Sequence, residues 1–309
     1  MTHNSLKVGH LTAFITILIW GTTFISTKIL LNTFSPIEIL FLRFLLGLVA
    51  LYLAYPSRLP LKNKKEELYF IFAGLTGITL YFLLENIALT YTFASNVGIM
   101  ISVAPFFTAI LAHFFTKGER LTPQFFLGFV AAMTGISLIS FNGSAVLKLN
   151  PLGDLLSIAA AMVWAIYSLL TKKISSFGYH TILTTRRIFL YGLLFMLPIL
   201  SFFGFHITAS DFKNISTICN LLFLGLGASA LCFVTWNYAV KQLGVIKTSI
   251  YIYISPAITV ITSILILKER ITIMAVVGTL LTLTGLLLSQ GNIAIFKGIL
   301  PSKFHRHQA

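Results

Sequence analysis

Ten apolar runs follow one another through the chain, at residues 11–31, 37–55, 68–91, 94–116, 121–141, 152–171, 181–205, 215–240, 248–267 and 271–290. An α-helix rises 1.5 Å per residue, so a run of about 20 residues crosses the roughly 30 Å of hydrocarbon in a bilayer. The runs are continuously apolar and do not alternate, which argues against a transmembrane barrel. Hydrophobic residues make up 57% of the 309-residue chain and charged residues 10%. Soluble domains carry about 25% charged residues, so this chain cannot cover a water-facing surface. The reading is an all-α membrane protein with ten transmembrane helices. Lys7 precedes the first run as in a signal peptide. That run is long, and similar runs follow it, so it reads as a first membrane helix. The third and fourth runs nearly abut, as do the fourth and fifth, so tight helical hairpins are expected there.

The formal net charge is +14. Its distribution explains it. With the N-terminus placed inside, the inner segments hold Lys7, Arg58, Lys62, Lys64, Lys65, Lys117, Arg120, Lys172, Lys173, Lys241, Lys247, Lys297, Lys303 and Arg306, which is 14 of the 22 Lys and Arg residues. The outer ends hold five: Lys28, Lys148, Lys213, Lys268 and Arg270. Arg43, Arg186 and Arg187 lie within runs. This bias places both termini in the cytoplasm by the positive-inside rule. The basicity is thus topological, and no folded module is left over to bind nucleic acid. Cys219 and Cys232 share one run, about 20 Å apart along a helix, too far for a disulfide within it.

The chain repeats itself. LIWGTTFISTK (18–28) matches MVWAIYSLLTK (162–172) at an offset of 144, pairing Trp20 with Trp164 and Lys28 with Lys172. At the same offset Arg43 falls on Arg187. ENIAL (85–89) matches WNYAV (236–240) at an offset of 151, pairing Asn86 with Asn237, and Pro105 then falls on Pro256. KGERLT (117–122) matches LKERIT (267–272), and Gly128 and Gly135 fall on Gly278 and Gly285. The units are residues 1–142 and 143–309, the second with a short basic cytoplasmic tail. Five helices is an odd number, so the second unit enters the membrane inverted. Inverted repeats flanking a midplane site are a transporter architecture, in which two halves expose one site to each side in turn.

On these paired residues the sequence resembles an EamA-type member of the drug/metabolite transporter superfamily, over about residues 9–291. The resemblance implies a ten-helix carrier of the inner (plasma) membrane. It also implies export of small organic metabolites, many such carriers moving amino acids or related solutes.

Glu85 is the one acid well inside a run, about 9 Å from its outer end. An ionisable group at that depth is costly unless paired or hydrated. Arg43 lies at matching depth, which leaves two readings: a structural Glu85–Arg43 ion pair, or a cavity carboxylate that meets a substrate amine or a coupling proton. The repeat mate of Glu85 is Trp236, so the carboxylate is an asymmetry between the halves. Arg186 and Arg187 point about 100° apart, so one is expected to snorkel, with Arg187 the candidate for a substrate carboxylate or a lipid phosphate. Trp20, Trp164 and Trp236 fall at mid-depth, away from the interfaces where tryptophan usually anchors, so they either line a cavity or pack the bundle. Asn86 and Asn237 can bond across helices or to solute. Pro105 and Pro256 each remove a backbone donor within a run, as a hinge or a static kink. Gly74, Gly77, Gly128, Gly135, Gly278 and Gly285 suit close helix packing.

No Walker loop or metal-ligand spacing is present, no carboxylate pair lies within a run, and His113 is the only histidine well inside one. No cofactor, metal or enzymatic activity is therefore expected. The partners are a small-molecule substrate and the bilayer. Two rivals stand beside an amino-acid exporter: a lipid-headgroup or lipid-carrier flippase, for which Arg186 and Arg187 would meet phosphates, and an intramembrane enzyme. The charge bias carries a direct test. In a background free of Cys219 and Cys232, cysteines placed at Ser57 and Ser302 should resist an impermeant thiol reagent added outside intact cells. Efficient outside labelling of either would overturn the orientation.

Overall fold

The structure is a computed structural model that describes residues 3–91, 94–116, 121–141, 150–258 and 273–289. Among these, all regular structure is helical. Five helices are long and apolar enough to cross a membrane: Pro36–Ala54, Lys64–Ala88, Pro151–Ser175, Thr181–Phe202 and Ile215–Leu243. The other five runs appear as shorter apolar helices: Ser5–Trp20, Ala104–Phe115, Pro123–Leu138, Val245–Ile258 and Val276–Ser289. Each apolar run thus contains a helix, but only five reach spanning length among the described residues. Glu119 and Arg120 of the first ER[LI]T turn, the whole of the second and the basic tail lie outside those residues.

In the first half, two runs that read as single helices are broken and a third changes its winding. The first is split into α1 (His3–Trp20) and α2 (Thr23–Leu30). Gly21 and Thr22 form the turn between them, and the hydroxyls of Thr22 and Thr23 return to the carbonyls of Ile19 and Trp20 at 2.7 Å. Such back-bonding satisfies carbonyls that the break releases. The second run is α3 (Pro36–Ala54), started by a capping box between Ser35 and Glu38 with Pro36 in the first turn. The third is a composite of α4 (Glu67–Gly74), a π-helical segment (Leu75–Leu80) and α5 (Tyr81–Tyr91). The fourth breaks into α6 (Ala94–Ile101) and α7 (Ala104–Phe115). Pro105 therefore sits in the first turn of a helix, where its missing N–H costs nothing, and not mid-helix as its run suggested. Then come α8 (Pro123–Phe141), α9 (Pro151–Ser175) and α10 (Thr181–Phe203).

The second half repeats the same irregularities. Its third run combines α11 (Ile215–Leu222), a π-helical segment (Phe223–Leu231) and α12 (Cys232–Leu243), so π segments occur at repeat-related positions. Gly244, at φ +90°, ends α12 and admits α13 (Val245–Ser249) directly after it. A 3₁₀ stretch (Ile250–Ile254) follows, and helix resumes at 255–258, so Pro256 too lies beside a break. The last helix is α14 (Ile273–Ser289).

The halves interlock. The contacts come in repeat-related pairs: α1 packs on α12 as α5 packs on α9, and α3 packs on Phe223–Leu231 as α10 packs on α4 and Leu75–Leu80. The repeat-equivalent helices α8 and α14 form a further pair. A Cβ added at Gly135 would stand 2.5 Å from the Gly278 carbonyl oxygen, and one at Gly128 2.5 Å from that of Gly285. Rising residue number on one helix thus meets falling number on the other, so these two copies of one repeat element run antiparallel. Backbones this close leave no room for a side chain. Gly135→Leu should therefore lose roughly 1–3 kcal/mol by overpacking. Gly98→Ala, whose Cβ meets nothing within 4 Å, should be near neutral. Thermal unfolding of the detergent-solubilised proteins checks the contrast.

Candidate functional site

Ile17, Trp20, Thr23 and Thr27 lie 3, 3 and 4 residues apart in sequence, and all four face one cavity. Its empty space is about 810 Å³ with the mouth included. Arg43 of α3, Tyr81, Phe82, Glu85 and Asn86 of α5, and Trp164 of α9 complete most of the wall, with Ile101, Ile252 and Ser255. Both halves of the chain contribute. The cavity occupies the part of the bundle remote from loop 55–66, since Glu85 and Thr27 both approach the far ends of their helices.

The floor is aromatic. Trp20 and Trp164 line it and meet the buried Trp236 behind them, with ring centroids 5.4 Å (Trp20–Trp164), 5.2 Å (Trp20–Trp236) and 6.0 Å (Trp164–Trp236) apart. Phe233 packs against all of Trp20, Trp164, Phe44 and Phe189. Rings at such distances in tilted or edge-on arrangements add attraction beyond their area burial. The Trp20 indole donates to the Ala228 carbonyl at 2.9 Å, in the π-helical segment whose irregular backbone turns that carbonyl toward it.

Two opposite charges share this cavity. The Arg43 Nε donates to Ser229 Oγ at 2.9 Å, and its guanidinium carbon lies 4.8 Å from the Phe82 ring centroid and 5.3 Å from that of Phe44. Cation–π contact compensates part of the lost hydration. Glu85 is buried, and it makes no direct ion pair with Arg43; among the described residues the ion pair that forms is Arg187–Glu67. The Tyr81 hydroxyl, one turn earlier on α5, is within interaction range of the Glu85 carboxylate. One Glu85 oxygen and the Trp164 indole N–H are buried without a hydrogen-bond partner. Orphaned polar groups of this kind cost free energy, so two of them on one cavity wall mark where a polar ligand would be held.

Trp20, Arg43, Glu85, Asn86 and Trp164 are thus brought together as the sequence suggested. The others are placed elsewhere. Trp236 is fully buried behind Trp20, with no face on the cavity. Asn237 accepts from the Tyr167 hydroxyl and donates to Thr185 Oγ1, each at 3.0 Å. Arg187 does not reach the cavity, because its Nε donates to Glu67 Oε1 at 2.7 Å and Glu67 also accepts from Tyr191. Arg186 is the buried member of the pair, not a snorkelling one. It donates to the carbonyls of Tyr55 (2.7 Å) and Ser57 (2.5 Å). Sequence reasoning missed Tyr81, Thr23 and Thr27. The signal was present as spacing, since Tyr81 and Glu85 are four residues apart and share a helix face.

Residues 7–141 and 151–290 each match the EamA-like transporter family. An uncharacterized transporter of Archaeoglobus fulgidus is 29% identical over 91% of this chain and 96% of its own length. A probable terminal-alkyne amino-acid exporter of Streptantibioticus cattleyicolor is 28% identical over 89% of this chain and 90% of its own. A probable amino-acid metabolite efflux pump of Escherichia coli is 25% identical over 89% and 92%. A solved crystal structure at 19% identity superposes with a TM-score of 0.77 over 94% of this chain and 98% of its own, so the fold is shared.

Because Glu85 attracts Arg43 across the cavity but forms no direct ion pair with it, Glu85→Gln removes less than a broken buried salt bridge would. The variant should stay within about 1 kcal/mol of the parent in stability. Glu67→Gln, which removes a charge from the Arg187 pair, should lose more. Parallel thermal-unfolding curves measure the difference, and equal losses would mean that Glu85 has a structural role.

Proposed function

The chain belongs to the EamA-like transporter family, and on that premise we propose that this multi-pass membrane transporter is a secondary exporter of amino acids or similar amphoteric metabolites. Its ten spans would form two inverted five-helix repeats in the cell (plasma) membrane, with both termini in the cytoplasm. The antiparallel pairing of α8 with α14 supports the inversion. The observation that carries the substrate reading is the unpaired coexistence of Arg43 and Glu85 in one aromatic-floored cavity. A zwitterion offers a carboxylate to a guanidinium, an ammonium to a carboxylate, and an apolar side chain to indole rings. The exporter and efflux names of two relatives agree with that chemistry. Asn86 and the Trp164 N–H supply further polar contacts, while Trp236, Asn237 and Arg187 hold the scaffold around them. Pro105 and Pro256, beside breaks in repeat-related helices, are the hinges about which the halves would move. Without a nucleotide-binding motif, the energy comes from the solute gradient or from a proton carried on Glu85.

A lipid flippase drew its support from Arg186 and Arg187 as phosphate ligands. Both are engaged, by loop carbonyls and by Glu67, so that observation no longer favours it. An intramembrane enzyme has nothing comparable to rest on: no group of three or more His, Cys, Asp or Glu able to hold a metal occurs among the described residues.

Proteoliposomes loaded with a large apolar amino acid test the reading. Uptake of the labelled solute should saturate and be accelerated by unlabelled solute on the far side, since one site must reorient in each cycle. Arg43→Gln and Trp164→Phe should each cut transport about tenfold or more with the fold retained, and Glu85→Gln should abolish any pH response. Flux that does not saturate and ignores solute on the far side would refute a carrier.

A further inference from the structure

A second, smaller pocket has no role in the cavity just described. It lies at the other end of the bundle, where α9 turns into α10, and its empty space is about 280 Å³. Thr171, Thr184, Asn237 and Lys241 stand on its wall. Its place in the repeat is informative. At an offset of 144, Thr27 of the large cavity falls on Thr171, and at 151, Asn86 falls on Asn237. The small pocket thus shares two repeat-related positions with the large one, at the opposite end of the bundle and with about a third of its space.

Something holds it shut. The chain between α3 and α4, residues 55–66, is strapped across this end of the bundle by side chains of the second half. Arg186 clamps the Tyr55 and Ser57 carbonyls, with its guanidinium carbon 4.1 Å from the Tyr52 ring centroid. Tyr55 stacks on His180, ring centroids 4.6 Å apart and nearly parallel. The Tyr179 hydroxyl donates to Glu66 Oε2 at 2.5 Å and accepts from the Lys62 backbone N–H at 2.7 Å. Burial, and then the Glu66 carboxylate, push that hydroxyl above its ordinary pKa, so it remains a donor. Next to it Glu67 is held by Arg187 and Tyr191. Tyr179 belongs to both arrangements, since it also lines the small pocket.

We infer that the pocket walled by Thr171, Thr184, Asn237 and Lys241 is the closed half of the solute path, and that the 55–66 strap, pinned by Arg186 and Tyr179 and anchored at the following Glu67 by Arg187, is its gate. This rests on the carrier reading, and it names residues that reading does not use. In a two-fold arrangement of repeats, the conformation with one mouth open becomes the opposite conformation when the halves exchange shapes. When the strap lets go, Thr184 and Lys241 face water at this end and the Thr27 side closes. Lys241 then meets the solute carboxylate that Arg43 has released.

The experiment reads access, not flux. In a background with Cys219→Ser and Cys232→Ala, single cysteines at Thr184 and at Thr27 are labelled with an impermeant methanethiosulfonate in the purified, reconstituted protein. Tyr179→Phe removes the hydroxyl that ties Glu66 and Lys62 while keeping the ring. It should raise the labelling rate of Thr184→Cys about tenfold and lower that of Thr27→Cys, the size expected for loss of a hydrogen bond to a charged group. Glu67→Gln should act in the same direction and serves as the second variant should Tyr179→Phe fold poorly. Unchanged labelling at Thr184→Cys in both variants, with protein shown folded by its elution profile, overturns the gate even if amino acids are transported. Switched labelling in a protein that moves no amphoteric solute upholds the gate and overturns the substrate reading instead.

Discussion

Hydrocarbon offers the backbone no hydrogen-bond partner, and nearly everything in this structure answers to that constraint. Each apolar run closes its own backbone bonds as helix. Polar side chains within the runs bond back to their own helix, as Thr16 does to Thr12 and Ser168 to Trp164. Where a run breaks, hydroxyls and indoles take over the freed carbonyls, as Thr22, Thr23 and Trp20 do around the α1–α2 turn and the Phe223–Leu231 segment. Against that thoroughness the exceptions carry information. Six buried side-chain atoms are without a partner among the described residues, and two of them, a Glu85 oxygen and the Trp164 indole nitrogen, share one cavity wall.

Helices in lipid gain little from burying apolar surface against one another, so contact depends on close fit. Here the fit is made between the two halves. Gly74 admits the backbone of α10 around Gly192, and Gly225 admits Leu46 and the Arg43 carbonyl from α3. These glycines are repeat mates, so the same joint is made twice, once in each direction. Each π-helical segment packs on a helix of the opposite repeat. Breaks beside Pro105 and Pro256 and the α1–α2 turn interrupt an otherwise close-packed assembly.

The electrostatics divide the bundle into unlike ends. At the strap end the groups that hold the loop are matched: Arg187 with Glu67, Arg186 with two carbonyls, Tyr179 with Glu66. In the cavity the two charges stand apart, Arg43 resting on ring faces and Ser229, Glu85 near Tyr81. A matched network holds a shape, whereas separated opposite charges with unused hydrogen-bonding capacity are the arrangement on which the proposed dipolar substrate rests.

How much of this was legible in the chain follows from the kind of property involved. Helical runs, their number, the charge bias and the internal repeat depend on what each residue prefers as a solvent, or on identities at a fixed offset. Trp20, Trp164, Arg43 and Asn86 could therefore be singled out from depth and pairing alone. What a paired residue touches was not legible. Arg43 and Arg187 occupy equivalent positions, yet one faces a cavity and the other is bound by Glu67, because the helices that approach them carry different side chains. The helix breaks and π-helical segments were hidden for a related reason. Shifting a backbone bond by one residue costs little, and packing across the interface decides it, as where Ile258 crowds Gly21. Solvent preference is a property of each residue by itself and can be read in order along the chain. Partnership is a property of the assembled bundle, in which residues more than a hundred positions apart compete for the same space.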